Sequence, residues 1–294
     1  IDNLSKLVKP NIAIITNIAE AHIENFKNLN HIAKAKGEII DNISNFGYLI
    51  IDRENKFFNY FKSKAEKRNI RVVSIGHNSK SDIKIVKIKK FPKYKLLTIK
   101  SFRNEFKIKT KDQIVKNIAF AVAVLEVLNL NVDRIKNKIK DIKVLEGRGK
   151  IYKIKYKKLN FNLIDESYNS NPQSLKRAII NFSKLKIPVN KKKYFLMGDM
   201  LELGKKTKDY HTQISDVINK TNIDKLFVLG NYSFYTYKYL KNFKRGNILQ
   251  SGQDFDEIFS NIIEKGDFLM IKGSNAIGLN VIANNIIQGK KNAL

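Results

Sequence analysis

Short apolar runs rich in β-branched residues alternate with segments of helical periodicity along the first part of the chain. The runs predict buried strands at 11–16, 47–52 and 70–76, and the segments between them predict helices at 29–44 and 55–68. This alternation is typical of an α/β fold with a largely parallel sheet.

The pattern changes between residues 82 and 110, where apolar residues alternate with lysine, as in DIKIVKIKK, KYKLLTIKS and EFKIKT. Alternation of this kind predicts antiparallel strands with one buried and one exposed face. The strongly apolar run at 114–130 then predicts a buried helix.

Near residues 144–156 the first pattern starts again, which predicts a second doubly wound unit and a domain boundary at about residue 146. We therefore expect one domain over 1–146 and another over 147–294. The predicted strands of the second unit, each followed by a helical segment, are 161–167, 193–199, 225–230 and 267–273. Ligands of such sheets bind beyond the carboxyl ends of the strands, where this chain has the polar clusters DESYNSNP, GDMLELG, GNYS and KGSN.

Composition narrows the class of protein. The 294 residues are 43% hydrophobic and include no cysteine, so a metal would need oxygen or nitrogen ligands, and a cytoplasmic location is expected. No apolar stretch approaches the roughly 20 residues of a membrane span, and no signal peptide is visible, so no membrane partner is expected. The chain begins with Ile1 and not Met, which suggests that residues upstream are missing.

The formal charge of +29 raises the possibility of a nucleic-acid-binding protein. Only eight of the 56 basic residues are arginine, the residue that suits bidentate phosphate and base contacts. We therefore favour a solvated basic surface and expect no nucleic-acid partner. Nucleic-acid binding stays open as the alternative from another class.

Lys36 falls on the apolar side of the helix predicted to begin near Asn28, four residues from both Ile32 and Ile40. Burial lowers the pKa of a lysine and leaves a neutral amine that can capture carbon dioxide as a carbamate. Such an anion could bind Mg²⁺ beside the nitrogen of His22. The alternative is that Lys36 reaches along the apolar face to solvent and that His22 is an ordinary loop residue.

The segment LIDESYNSNPQSLKRAI at 163–179 places two acids, Asp165 and Glu166, at the end of a strand. Asn169, Asn171 and Ser174 could surround the start of a helix, where phosphate or carboxylate groups bind well. The alternative is an ordinary capped helix with Asn171 as its N-cap.

The segment LEGRGKI at 145–151 superficially suggests a phosphate loop. It is not a Walker A motif, because Gly147 and Gly149 are one residue apart and Lys150 precedes Ile151. Arg148 could instead reach a phosphate as a lone guanidinium, or be a surface residue.

Taken in order, KPNIAIITNIAEAHIENF…IAKAKGEI, EGRGKI, IDESYNSNPQSLKRAI, LMGDMLELG…H and IKGSNAIGL resemble the motifs of the Mur ligases of peptidoglycan synthesis. The resemblance spans nearly all 294 residues. It implies an incomplete central domain of P-loop NTPase type over 1–146, followed by a Rossmann-like C-terminal ligase domain over 147–294.

The resemblance also implies a reaction. ATP, with Mg²⁺, would phosphorylate the terminal carboxylate of a UDP-N-acetylmuramoyl-tripeptide, and the amine of D-alanyl-D-alanine would attack the acyl phosphate to form an amide. A monomer is expected. Charge develops mainly on phosphoryl oxygens, so positioning and cations should dominate catalysis.

Site residues follow from the same resemblance, motif by motif. His22 matches a magnesium-binding histidine, and Lys36 matches the carbamylated lysine of the metal site. Arg148 matches an arginine near the ATP phosphates and Asn117 an asparagine of the nucleotide region. Nucleotide and peptide binding are further expected of strand-end residues in the C-terminal domain: Asp165, Glu166, Tyr168, Asn169, Asn171, Ser174, Lys272 and Ser274.

Several positions depart from the family pattern. Asp112 and Gln113 replace the usual His-Asn pair ahead of Asn117, and Glu166 stands where aspartate is common. The glycine-rich GTNGKT loop, the uridine-diphosphate-binding domain and a magnesium-binding glutamate do not occur in these 294 residues. Because that loop holds the β- and γ-phosphates, we expect the chain alone to lack ligase activity. A sibling ligase adding another amino acid, such as a folate polyglutamate or meso-diaminopimelate adder, and a non-catalytic homologue stay open.

Overall fold

The computed structural model describes residues 1–19, 26, 28–92, 94–110, 115–139, 145–156 and 159–289. The chain forms two compact units. Unit 1 holds Ile1–Ala19 and Asn28–Lys143, and the main segment of unit 2 is Val144–Leu294. None of the helices in the described ranges has the length and apolar content needed to cross a membrane.

Unit 1 is built on a six-stranded sheet. Its strands are β1 (Ile12–Ile15), β2 (Tyr48–Asp52), β3 (Arg71–Gly76), β4 (Ile83–Lys90), β5 (Lys95–Lys100) and β6 (Glu105–Thr110). They lie in chain order; β1 to β4 pair in parallel, and β4, β5 and β6 are antiparallel. The change at β4 follows the sequence, because continuous apolar runs give way there to alternation with lysine.

Helices cover both faces of this sheet. They are α1 (Asp2–Val8), α2 (Leu29–Gly37), α3 (Phe58–Glu66), α4 (Val115–Val127) and α5 (Val132–Ile139), and a 3₁₀ turn at Glu38–Asn42 continues α2. One apolar cluster joins β1 and β2 to α2 and α3, and another joins β3 to β6 to α4 and α5. Asn28 caps α2 by accepting the backbone N–H of His31 at 3.1 Å.

Unit 2 contains a second six-stranded sheet. Its strands are β7 (Lys150–Tyr156), β8 (Leu159–Asp165), β9 (Lys193–Gly198), β10 (Lys225–Leu229), β11 (Arg245–Leu249) and β12 (Phe268–Lys272). The spatial order is β11-β10-β9-β12-β8-β7, and all neighbours are parallel except β7, which pairs antiparallel with β8. The carboxyl ends of β8, β12 and β9 therefore lie side by side.

The helices of unit 2 are α6 (Pro172–Ser183), α7 (Thr207–Asn219), α8 (Ser233–Lys238), α9 (Asp254–Ser260) and α10 (Leu279–Gln288). They pack on both faces of the sheet, as alternate residues of β9 show. Tyr194 and Leu196 enter the cluster with α9 and α10, whereas Phe195 and Met197 enter the cluster with α6 and α7. The prediction of an α/β fold with two largely parallel sheets is confirmed.

Five of the described strands and helices were not predicted, and one helix was predicted too long. The missed elements are short or lie at a sheet edge: β7, β11, α1, α5 and α9. The helix predicted over 29–44 ends at Gly37, after which the backbone tightens into the 3₁₀ turn.

Candidate active site

Lys36 lies in the last turn of α2, between Ile32 and Ile40, which are 2% and 0% exposed. The side chain is half-buried, and Nζ donates a 2.9 Å hydrogen bond to the carbonyl oxygen of Asn17, just beyond β1. Burial lowers the pKa of Lys36. The amine is thus at a strand end and easier to deprotonate than a surface lysine.

The predicted partner of Lys36 is His22, which lies outside the described residues. The pairing of the two side chains therefore stays a prediction. Asp112 and Gln113, the positions that depart from the family pattern, also lie outside them.

Asn117 is exposed in the first turn of α4, and the preceding residue fixes that turn. Lys116 Nζ contacts Asp52 Oδ2 at 2.5 Å and Glu54 Oε2 at 2.6 Å. Glu54 also accepts the backbone N–H groups of His77 and of Asn78. Burial acts to lower the pKa of Lys116, but the hydrogen bonds to its two carboxylates raise it overall. This network joins the helix to the ends of β2 and β3, and it was not predicted from the sequence.

The GRG segment forms a tight turn in unit 2. Gly147 and Gly149 have φ of 68° and 91°, and a Cβ added to Gly147 would lie 2.8 Å from the Tyr168 backbone nitrogen and Cβ. Asp165, 1% exposed, holds the turn: Oδ2 accepts Gly147 N–H at 2.9 Å, and the Asp165 carbonyl accepts Gly149 N–H at 2.7 Å. The other carboxylate oxygen of Asp165 accepts the N–H and the hydroxyl of Ser167 at 3.1 and 2.6 Å. In the structure, Asp165 therefore organises the turn; its predicted contact with nucleotide stays a prediction.

Arg148 projects from this turn into solvent. Its guanidinium carbon lies 4.1 Å from the centroid of the Tyr168 ring, and Tyr168 is itself 53% exposed. A cation stacked on an aromatic face is held in place without losing its hydrogen-bond donors. The pair therefore presents a guanidinium that can bind a phosphate or a carboxylate.

Lys272, at the end of β12, is 2% exposed. Its ammonium donates to the carbonyl oxygen of Asn169 at 2.8 Å and lies 3.7 Å from Glu166 Oε2. Burial lowers the pKa of Lys272; the charge of Glu166 opposes this, and the nearby charge of Arg148 adds to it. The structure thus places three other predicted site residues, Arg148, Glu166 and Asn169, around one buried ammonium.

Asn171 and Ser174 form a capping box at the start of α6. Asn171 Oδ1 accepts Ser174 N–H at 2.8 Å, and Ser174 Oγ accepts Asn171 N–H at 3.0 Å. Pro172 occupies the first helical turn, as expected. The alternative of a capped helix is confirmed for these two residues, and their predicted role in substrate binding stays untested.

Ser274 ties the end of β12 to the GDMLELG segment. Its hydroxyl accepts Leu201 N–H at 2.9 Å, and its own N–H donates to the Asp199 carbonyl at 2.9 Å. His211, fully buried in α7, secures the same segment from the other side. Met200 N–H donates to His211 Nε2 at 3.0 Å, and Nδ1 lies 2.7 Å from the Thr207 carbonyl.

These contacts define the charge of His211. Because Nε2 accepts a hydrogen bond, Nδ1 carries the proton and donates it to the carbonyl, so the ring is neutral. Burial lowers the pKa of His211, which agrees with that assignment. From the sequence, this histidine of the LMGDMLELG…H motif had no predicted role.

Asp199 is a second residue whose role the sequence did not reveal. It is 4% exposed, and its carboxylate accepts the N–H groups of Tyr232 and Ser233 at the start of α8, at 2.6–3.1 Å. A Cβ added to Gly230 would lie 2.5 Å from the Asp199 carboxylate, so only glycine fits there. Asp199 therefore orients the loops after β9 and β10.

The predicted site residues of unit 2 gather beyond the carboxyl ends of β8, β12 and β9, as a doubly wound sheet requires. Two cations, Arg148 and Lys272, lie in this region with two carboxylates, Glu166 and Asp165, and both oxygens of Asp165 already accept hydrogen bonds from the turn. The exposed guanidinium of Arg148 suits a phosphate-bearing ligand.

A metal site is not complete in the part of the chain that the structure describes. No group of three or more His, Asp or Glu side chains there is placed to hold an ion. A carbamate on Lys36 would supply the oxygen ligands that Mg²⁺ prefers, and the lowered pKa of the amine favours its formation.

Two family models match the chain. Residues 2–125 match the Mur ligase middle domain, and residues 147–275 match the Mur ligase, glutamate ligase domain. The two matches fall mainly in unit 1 and in unit 2 respectively.

Similar proteins include the UDP-N-acetylmuramoyl-tripeptide–D-alanyl-D-alanine ligase of Rickettsia prowazekii (strain Madrid E), 30% identical over 287 residues, 96% of this chain and 62% of the relative. The Bacillus subtilis (strain 168) ligase of the same name is 27% identical over 98% of this chain and 62% of the relative. The chain thus spans about three fifths of the length of these relatives. The MurF crystal structure from Acinetobacter baumannii superposes with a TM-score of 0.82 at 20% identity, covering 98% of this chain and 62% of that one, which shows a shared fold.

Proposed function

Because this chain belongs to the Mur ligase family, we propose that it acts in ATP-dependent addition of D-alanyl-D-alanine to UDP-N-acetylmuramoyl-tripeptide. One observation carries the proposal: 30% identity to a ligase of that name extends over 96% of the chain, without being confined to one motif or one unit. A carboxylate oxygen of the tripeptide attacks the γ-phosphorus of ATP, and ADP leaves. The amine of the dipeptide then attacks the acyl phosphate, loses a proton and releases inorganic phosphate.

Arg148 and Lys272 support binding of the phosphate groups. The exposed guanidinium stacked on Tyr168 can form two parallel hydrogen bonds to a phosphate, whereas the buried ammonium adds charge from within the protein. Glu166, 3.7 Å from that ammonium, opposes the lowering of the Lys272 pKa by burial. Fixed cations of this kind stabilise the charge that develops on transferring phosphoryl oxygens.

Lys36 supports a metal site in unit 1. The lysine would hold Mg²⁺ as a carbamate, together with His22 and donors outside the described residues. The ion would supply a positive charge that screens phosphate and carboxylate oxygens from each other. The half-buried amine at the end of β1 is the feature of this chain that fits such a role.

The remaining predicted contacts belong to the same proposal. Asn117, exposed in the first turn of α4, would bind the nucleotide. Tyr168 and Asn169 present exposed side chains toward solvent where a substrate can reach them, whereas Ser274 and the capping pair of α6 would act by shaping the loops.

The test is an assay of ADP release by the complete gene product that contains these 294 residues. We expect release only when ATP, tripeptide substrate and D-alanyl-D-alanine are all present. Release that responds instead to meso-diaminopimelate or glutamate would assign a sibling ligase and overturn the proposal. Arg148→Met should lower kcat/KM for ATP by at least about a hundredfold, the usual scale for a lost charge-stabilising donor. Arg134→Met, at an exposed position of α5, is the matched control and should leave it unchanged.

A further inference from the structure

One face of unit 1 is unusually basic. The twenty residues of β4, β5 and β6 include eight lysines and a single acid, Glu105. In the whole chain, 56 Lys and Arg residues stand against 27 Asp and Glu. The excess on these strands is thus well above the chain's own average and is not explained by composition alone.

The strand register places most of these lysines on one side of the sheet. Lys87 pairs with Thr98, which pairs with Lys107. Two residues along each strand, Lys89 pairs with Leu96, which pairs with Lys109. Residues directly opposite in antiparallel strands share a face, so the two rows point the same way. Together with Lys84 and Lys100, which are opposite each other at the end of the strands, they form what we term the basic face.

The other side of the same strands is buried. Ile85, Leu97, Ile99, Phe106 and Ile108 are at most 5% exposed and pack in the cluster that includes α4 and α5. The basic face therefore cannot turn inward. Among the described residues, none of its six lysines forms an ion pair with an acidic side chain.

Apolar side chains border the basic face. Phe91, 42% exposed, stacks on Tyr94 with ring centroids 4.7 Å apart, and Lys109 Nζ lies 5.3 Å from the Tyr94 centroid. Val86, beside Lys87 at a bulge in β4, is 47% exposed, and Phe102 in the turn after β5 is 54% exposed. Exposed aromatic and aliphatic groups beside lysines are the combination that binds at the interface of an anionic bilayer.

We propose that the basic face docks unit 1 on the surface of an anionic phospholipid bilayer. Each lysine row crosses β4, β5 and β6 and spans about 10 Å, or two strand spacings, so its lysines can contact separate headgroups. Phe91, Val86 and Phe102 would enter the headgroup region, where the lysines attract phosphate. A polynucleotide is favoured less, because the strands carry no arginine and one face of the Phe91 ring is already covered by Tyr94. The expectation from the sequence that there is no membrane partner rested on the lack of a spanning segment, which docking of this kind does not need.

The test is cosedimentation with vesicles of phosphatidylglycerol and phosphatidylcholine in equal parts, compared with phosphatidylcholine alone. We expect binding only to the anionic vesicles, weakening as salt rises and the screening length shortens. The basic-face variant carries Lys87→Glu, Lys89→Glu, Lys107→Glu and Lys109→Glu. It should lose at least about tenfold in affinity, since each lysine near an anionic surface contributes to binding.

The matched control makes the same charge change at exposed lysines of unit 2: Lys184→Glu, Lys186→Glu, Lys220→Glu and Lys265→Glu. It should retain most of the affinity. An equal loss of vesicle affinity in both variants, or no loss in either, would overturn the proposal. Tighter binding to duplex DNA than to the anionic vesicles at the same ionic strength would also overturn it. Thermal unfolding checks that each variant folds, and Lys→Gln changes at the same positions replace any glutamate variant that does not. Ligase activity in solution should be unaffected, so this result is independent of the proposed function.

Discussion

Removing the Asp165 carboxylate should destabilise unit 2 substantially. Asp165→Ala leaves three donors without their acceptor: the N–H of Gly147 and both the N–H and the hydroxyl of Ser167. All three hydrogen bonds are buried, so water cannot replace the lost oxygen atoms without rearrangement of the turn. A buried unsatisfied donor costs about 1–3 kcal/mol, so the three together cost roughly 3–9 kcal/mol. For a unit of this size, the thermal midpoint should fall by about 10 °C or more.

Differential scanning calorimetry measures the thermal midpoint, and urea unfolding measures the unfolding free energy. The two units are followed separately where they unfold in separate transitions. Asp165→Asn keeps the shape of the side chain and one acceptor oxygen. Its unfolding free energy should therefore lie between those of the wild type and Asp165→Ala. Asp216→Ala, at an exposed position of α7, is the control and should change the unfolding free energy by less than about 0.5 kcal/mol. A loss for Asp165→Ala no larger than that of the control would refute the role assigned to the carboxylate.

Burial lowers the pKa of His211, so the unfolded chain binds a proton at this residue more readily than the folded chain. The unfolding free energy should therefore fall as the pH drops through about 6.5. Urea titrations at several pH values should show that His211→Gln removes this share of the pH dependence. Lys116→Met leaves two carboxylates without their cation and should cost about 1–2 kcal/mol, whereas Lys136→Met, in an exposed pair, should cost less than about 0.5 kcal/mol by the same unfolding measurement. Lys36→Arg keeps the positive charge but cannot form a carbamate. ADP release by the complete gene product should therefore fall at least about a hundredfold, while the thermal midpoint stays unchanged. Retention of activity by this variant would contradict the proposed carbamate.

Hydrophobic pattern was sufficient to predict the interior of both sheets. Runs such as 47–52 and 193–199 are apolar because their strands are covered on both faces, and the alternation over 82–110 reflects one covered and one exposed face. The edge strands β7 and β11 lack that coverage, so their sequences carry a weaker signal. Gly37, the last residue of α2, packs against Phe61, whose ring lies 3.2 Å from where a Cβ would be, and local periodicity does not report such a contact.

Site residues were predictable where the chemistry is local. The N-cap of Asn171 follows from three neighbouring positions, and the half-burial of Lys36 follows from its spacing to two isoleucines. Lys272 is different, because its ammonium binds the carbonyl of Asn169, 103 positions away in sequence. The neutral state of His211 likewise depends on the backbone of Met200 in a separate loop, which no spacing rule connects to it.

We propose that this chain takes part in amide formation through an acyl phosphate. The most direct measurement follows ¹⁸O placed in the terminal carboxylate of the tripeptide substrate during turnover by the complete gene product with ATP and D-alanyl-D-alanine. We predict that one labelled oxygen appears in the released inorganic phosphate for each amide formed, because that oxygen bridges carbon and phosphorus in the intermediate. Amide formed with unlabelled phosphate, or phosphate released without amide, would contradict it.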